Sequence, residues 1–144
     1  MYNKLKTGAF APNIVFDKKY VFSNDHKISD LNQIQSDLIL LVFGSSKCYS
    51  CIKEIPLLEN IYSNFKNSKK LEIVLISLDE NEHDFKHFTE NFSFISACSF
   101  EKYNTLAVKD YHIQHTPTFY LLNKELKILL KPSSTKHLES WLNK

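Results

Sequence analysis

The chain has 144 residues, 43% hydrophobic and 24% charged, and 18 basic against 16 acidic residues leave a net charge of +2. That is one domain's worth of sequence, 1–144, with enough apolar side chains to build a core without a disulfide framework. The near-neutral balance and scattered lysines speak against nucleic acid or a membrane surface as partner, and no apolar run approaches the roughly 20 residues of a membrane span.

The opening stretch, MYNKLKTGAFAPN, lacks the long apolar segment of a secretory signal. If Met1 is the native start, a cytoplasmic protein is expected; a processed chain belongs elsewhere. Ile14–Phe16 and Tyr20–Phe22, separated by Asp17–Lys18–Lys19, predict a short hairpin. Ser29–Asp30–Leu31 predicts the cap of a brief helix. Leu38–Phe43 is a continuous apolar run, the pattern of a central strand buried on both faces. Ile52, Ile55, Leu58, Tyr62 and Phe65 then form a helical stripe, and Pro56 within it predicts a kink.

Leu71–Leu78 predicts a second buried strand. Glu82–Phe92 predicts a surface helix with Phe85, Phe88 and Phe92 inward, and a short strand is expected near Phe94–Ile95. Tyr103–Tyr111 predicts a helix burying Leu106, Val108 and Tyr111. Thr118–Leu122 and Leu126–Leu130 predict a hairpin turning at Asn123–Glu125. A last helix starts near Ser133–Ser134 and buries Leu138, Trp141 and Leu142. Strands alternating with helices imply an α/β fold with a mixed sheet and helices on both faces. With only two glycines, most turns fall to Asn, Asp, Ser and Lys.

Two of the three cysteines lie in SKCYSCIKEIP, as Cys48 and Cys51. Cys48 is placed where a buried strand gives way to a helix, beside backbone N–H groups that lack helical partners. Such cysteines have pKa values lowered from about 8.5 toward roughly 3.5–7.5. Cys51, one turn on, is within reach to form a bridge and is expected to be shielded. A zinc site would need further ligands, and only Cys98 remains. A purely structural disulfide across so short a loop adds little stability. A redox pair is the reading that a CxxC after a buried strand in a βαβ pattern favours.

Pro117 stands at the entrance of a strand, in His115–Thr116–Pro117–Thr118–Phe119. Thr116–Pro117 is a candidate for a cis bond. An ordinary trans proline entering an edge strand is the plain alternative.

Together GAFAPNIVF, Val42–Phe43 with Cys48–Tyr49–Ser50–Cys51 and Lys53–Pro56, and Thr116–Leu122 resemble the thioredoxin superfamily. They are most similar to its extracytoplasmic TlpA/ResA-type thiol–disulfide oxidoreductases. The likeness spans about Gly8 to Leu142. It implies a thioredoxin-like fold with Cys48 as nucleophile and Cys51 as resolving thiol. It also implies a cis Pro117 that, with Thr116, holds substrate backbone, and a Glu54 that tunes the pair. The implied partners are a protein disulfide or dithiol substrate and a protein electron donor. No cofactor or metal is expected, and the cell envelope or periplasm is the expected location.

Three positions depart from the pattern. Lys47 stands where many relatives have Trp, as a candidate to stabilise the Cys48 thiolate or simply a solvated lysine. Val42 occupies the place of the buried Asp of thioredoxins proper, which turns attention to Glu54 for proton transfer. The central Tyr49–Ser50 dipeptide assigns neither a reducing nor an oxidising potential.

Other candidates are weaker. His83 and His87 have the i, i+4 spacing of metal ligands but lie beside Phe85 and Phe88 on a predicted surface helix. His112 and His115 precede Pro117, and His115 is expected near the dithiol. A copper-delivery role like that of Sco-type proteins calls for CxxxC spacing, and the peroxiredoxin cysteine pattern is missing at Ser45–Ser46. Cys98 reads as a small buried hydrophobe. The rival to an enzyme is a non-catalytic, partner-binding or metal-handling module of a larger envelope protein.

Overall fold

The computed structural model describes residues 5–144; the first four residues of the opening stretch lie outside the described part. Five helices and six strands follow in the order β1 Val21–Ser23, β2 Leu38–Gly44, α1 Tyr49–Glu54, α2 Leu58–Phe65, β3 Leu71–Ser77, α3 Glu82–Thr89, β4 Ile95–Cys98, α4 Leu106–Asp110, β5 Thr118–Asn123, β6 Ile128–Leu130 and α5 Thr135–Leu142, among the described residues. The strands form one sheet in the order β1-β4-β3-β2-β5-β6. β2, β3 and β4 run parallel, while β1, β5 and β6 pair antiparallel to their neighbours. This is a thioredoxin-like α/β fold.

β2 lies at the centre, and its side chains alternate between two buried layers. Ile39, Leu41 and Phe43 join Val74, Ile76, Tyr111 and Tyr120 on one face. Leu40 and Val42 join Cys51, Ile55, Leu58, Leu75 and Leu138 on the other. Burial of both faces accounts for the unbroken apolar run, since neither set of alternate residues meets water. α1, α2 and α5 cover the second face; α4 and the N-terminal segment cover the first.

The N-terminal segment departs from the predicted hairpin. The turn forms, with Tyr20 N–H donating to the Asp17 carbonyl at 3.1 Å. Its two arms find different partners, however: Val15 bridges Asp30, and Val21–Ser23 pair with β4. A three-residue strand gains more by extending a formed sheet than by pairing alone, because an isolated hairpin is marginal in water. The preceding residues line the other sheet edge, where Ala11 N–H donates to the Leu126 carbonyl at 2.7 Å and Ile128 N–H to the Ala9 carbonyl at 2.8 Å. They cover backbone groups that β6 would otherwise expose.

The helix predicted across Ile52–Phe65 is interrupted at a 3₁₀ turn, Ile55–Leu57. Pro56 has no N–H to donate, so the break falls where the sequence places it. Ile52 is exposed rather than buried, and Ile61 takes its place in the core. Leu106 is likewise 68% exposed, while Ala107, Val108 and Tyr111 are buried. α3 ends at Thr89 and Phe92 packs from the following turn. The scarcity of glycine leaves seven other described residues at positive φ, including Phe100, His112 and Leu126 beside the expected Asn24, Asp25, Lys70 and Lys102.

Candidate active site

The site is built at the carboxyl end of β2, where a strand hands over to α1. Gly44 makes the close approach possible. A Cβ there would overlap Ile55 Cδ1 and lie 3.2 Å from Cys51 Sγ, so any side chain would force Ile55 and Cys51 to shift. After the Ser45–Lys47 turn, Cys48 caps α1 from extended backbone, and its sulfur accepts the Cys51 N–H at 3.2 Å. An oxygen of Ser, Thr, Asp or Asn usually holds this position. A sulfur there is poised to be charged, because the bond strengthens when the acceptor is an anion.

The two thiols are driven apart. Burial opposes the Cys48 thiolate, but the Cys51 and Thr116 contacts and the N–H groups of Cys51 and Ser50 outweigh it, and its pKa is lowered. Cys51 is fully buried beside Val42, Ile55 and Leu58. That burial, reinforced by the Cys48 contact, pushes its pKa up to about 12. Hydrocarbon at Val42 supplies no group to accept its proton. All three cysteines are free thiols.

β5 brings the second half of the site. It pairs antiparallel with β2 in a register that sets Phe43 opposite Thr118. Continuing that register carries Pro117 and Thr116 past Gly44 toward the cysteine loop. The Thr116–Pro117 peptide bond is cis. The Thr116 carbonyl accepts from Cys48 Sγ at 3.4 Å, and Thr118 Oγ1 donates to the His115 carbonyl at 2.6 Å.

A buried carboxylate that the sequence pattern did not single out holds the loop. Asp79 Oδ1 accepts from Ser46 N–H at 3.0 Å and from Ser46 Oγ at 2.7 Å. Its Oδ2 accepts from Ser77 Oγ at 2.7 Å. The available signal was topological: β2 and β3 are parallel neighbours, so a polar residue just past β3 lies beside the loop just past β2. Cys98 Sγ donates to the Asp79 carbonyl at 3.5 Å, and burial pushes its pKa up to about 11.

Glu54 lies on α1 one turn beyond Cys51, but its bonded oxygen faces α5. Oε1 accepts from Thr135 N–H at 2.9 Å and from Thr135 Oγ1 at 3.0 Å, capping that helix together with Ser134. Lys47 pairs with Asp84 at 3.2 Å rather than with the sulfur. His83 and His87 stack on α3 with ring centroids 6.2 Å apart, and His87 pairs with Glu90 at 3.5 Å. No group of three or more His, Cys, Asp or Glu suited to a metal ion occurs among the described residues. Among them, too, no helix is long and apolar enough to cross a membrane.

The thioredoxin-like family model matches residues 36–128, which span β2 to β5, reach the first residue of β6 and include both halves of the site. The thiol–disulfide oxidoreductase ResA of a Bacillus cereus strain is 27% identical over 144 residues, covering 98% of this chain and 79% of that relative. Tryparedoxin of Trypanosoma brucei brucei is 29% identical over 97 residues, 66% of this chain and 67% of its own. The thioredoxin domain of a thiol–disulfide oxidoreductase from Bacteroides vulgatus superposes with a TM-score of 0.82 at 24% identity, covering 97% of each chain; that likeness concerns the fold. With this sheet order, a CxxC at the start of α1 and a family match over most of the chain, the protein belongs to the thioredoxin-like family and is similar within it to the ResA-type oxidoreductases.

Proposed function

We propose that the chain is a thiol–disulfide oxidoreductase that reduces disulfides in protein substrates through Cys48 and Cys51. The observation that carries this is the asymmetry of the pair: a partly exposed sulfur with a lowered pKa beside a buried one raised to about 12. The Cys48 thiolate attacks one sulfur of the substrate disulfide. A Cys48–substrate bond forms, the substrate S–S bond breaks, and the other substrate sulfur leaves as a thiolate that takes a proton from water. Cys51 then loses its proton and attacks Cys48. The Cys48–Cys51 bond forms and the second substrate thiolate departs. Two electrons have passed to the substrate, and a dithiol protein donor must return them.

Thr116 and Pro117 are the proposed substrate-binding pair, since the Thr116 carbonyl already touches the attacking sulfur. Glu54 is the proposed proton acceptor for Cys51, through water: its Oε1 is bound to Thr135, while Oε2 has no partner among the described residues. The resemblance to ResA-type proteins supports a site of action outside the cytoplasm.

The test is trapping. The Cys51→Ser variant should accumulate a mixed disulfide between Cys48 and a model protein disulfide, seen as a mass increase that dithiothreitol reverses. Cys48→Ser should form none. Adducts on Cys98, or none on either variant, would overturn the assignment.

A further inference from the structure

A groove of about 390 Å³ borders Pro117, lined among others by His112, His115, Tyr120, Lys131 and Ser133. No acidic side chain among the described residues lines it. Lys131 is the one lysine that lines it among the described residues. Its ammonium lies 5.5 Å from the Tyr120 ring centroid, and it has no carboxylate partner among the described residues. Partial burial lowers its pKa from the usual lysine range. His112 and His115 add imidazole N–H donors, present in either protonation state.

The groove is placed within reach of the redox centre. The β5–β6 register sets Leu121 opposite Leu130, which puts Lys131 across from Tyr120. Tyr120 is four residues beyond Thr116, or about 13 Å at roughly 3.3 Å per residue. A substrate chain extended from the sulfur at Cys48 would cover that span with a similar number of residues. We infer that this groove binds an acidic side chain of the substrate polypeptide, about four residues from the cysteine that Cys48 attacks. The inference rests on the oxidoreductase reading and names its substrate class. Charge complementarity selects the occupant: a cation and two N–H-bearing rings, with no lining carboxylate to satisfy them.

Two peptides test it, each a disulfide-linked dimer with one cysteine per chain. One carries glutamate at the third to fifth positions on both sides of the cysteine; the other carries glutamine there. The prereduced protein reacts with each in a single turnover. The glutamate peptide should be reduced about fivefold faster, the scale of one partly screened ion pair, and added salt should shrink the ratio. Lys131→Gln should bring the ratio close to one, and Lys131→Arg should restore it. Equal rates for both peptides with the unaltered protein would overturn the inference while leaving the oxidoreductase reading intact. So would a ratio that Lys131→Gln leaves in place. Reduction of neither peptide would overturn both.

Discussion

Asp79 and Ser46 lie thirty-three positions apart, yet one carboxylate oxygen of Asp79 takes both the backbone N–H and the hydroxyl of Ser46, at 3.0 and 2.7 Å. The end of β3 thereby fixes the loop that delivers Cys48. Asp79 is 2% exposed, as is Ser77, whose hydroxyl it also accepts, while Ser46 is half-buried. Asp79→Ala should lower stability by about 2 kcal/mol, the scale of stranding such donors. Urea denaturation of the reduced protein checks this, and an unchanged midpoint would mean the carboxylate is dispensable to the loop.

The two cysteines should titrate on opposite sides of an ordinary thiol. Iodoacetamide labelling of Cys48, followed by peptide mass, should reach its half-maximal rate below about pH 8.5, while Cys51 stays protected until near pH 12. Linkage gives each a sign. The lowered Cys48 contributes stability above the unfolded thiol's value, lost as pH falls through its folded pKa. The raised Cys51 contributes stability below that value, lost as pH rises from about 8.5 toward 12. Cys98, raised to about 11, acts in the same direction as Cys51. The reduced protein should therefore weaken through that alkaline window more than Cys51→Ala does.

Gly44→Ala should destabilise by about 1–3 kcal/mol, since its Cβ would overlap Ile55 Cδ1. Adding Ile55→Val, which removes that methyl, should recover part of the loss. If the double variant is no more stable than the sum of the two single changes, the clash is not the cause.

Glu54 holds Thr135 and is the proposed proton acceptor for Cys51, and two variants divide the two roles. Glu54→Gln keeps an oxygen for Thr135 but removes the charge. It should leave thermal stability within about 0.5 kcal/mol and slow release of substrate from the mixed disulfide by about tenfold. Glu54→Ala should show the same slowing and also lose about 1 kcal/mol, because Thr135 loses its acceptor and α5 keeps only the Ser134 cap. Rapid release with Glu54→Gln would leave only the structural role.

How much of this could be read from the sequence depends on whether the signal was local. The run Leu38–Phe43 announced a strand buried on both faces, and Pro56 announced the break after α1, because periodicity and a missing N–H act within a few residues. Cys48 and Cys51 were visible through their spacing and their place after that strand. The predicted hairpin at Ile14–Phe22 does not form because its second arm pairs with a strand more than seventy residues away, a pairing that no local pattern encodes. Ile52 opens the helical apolar stripe and Leu106 lies in a predicted helix, but the break at Ile55–Leu57 and the short α4 turn those positions to solvent. Asp79 escaped notice because its meaning comes from the parallel pairing of β2 and β3, and the Glu54 bond to Thr135 because it joins helices eighty-one positions apart.

The most direct measurement is the equilibrium reduction potential of the reduced–oxidised pair, by thiol trapping and mass analysis across dithiothreitol and glutathione buffers. A disulfide reductase should show a reversible two-electron couple between Cys48 and Cys51 below about −220 mV, with Cys98 free throughout. A couple near −120 mV would contradict the direction proposed here and indicate an oxidase. Thiols that never pair at any potential would contradict the oxidoreductase itself.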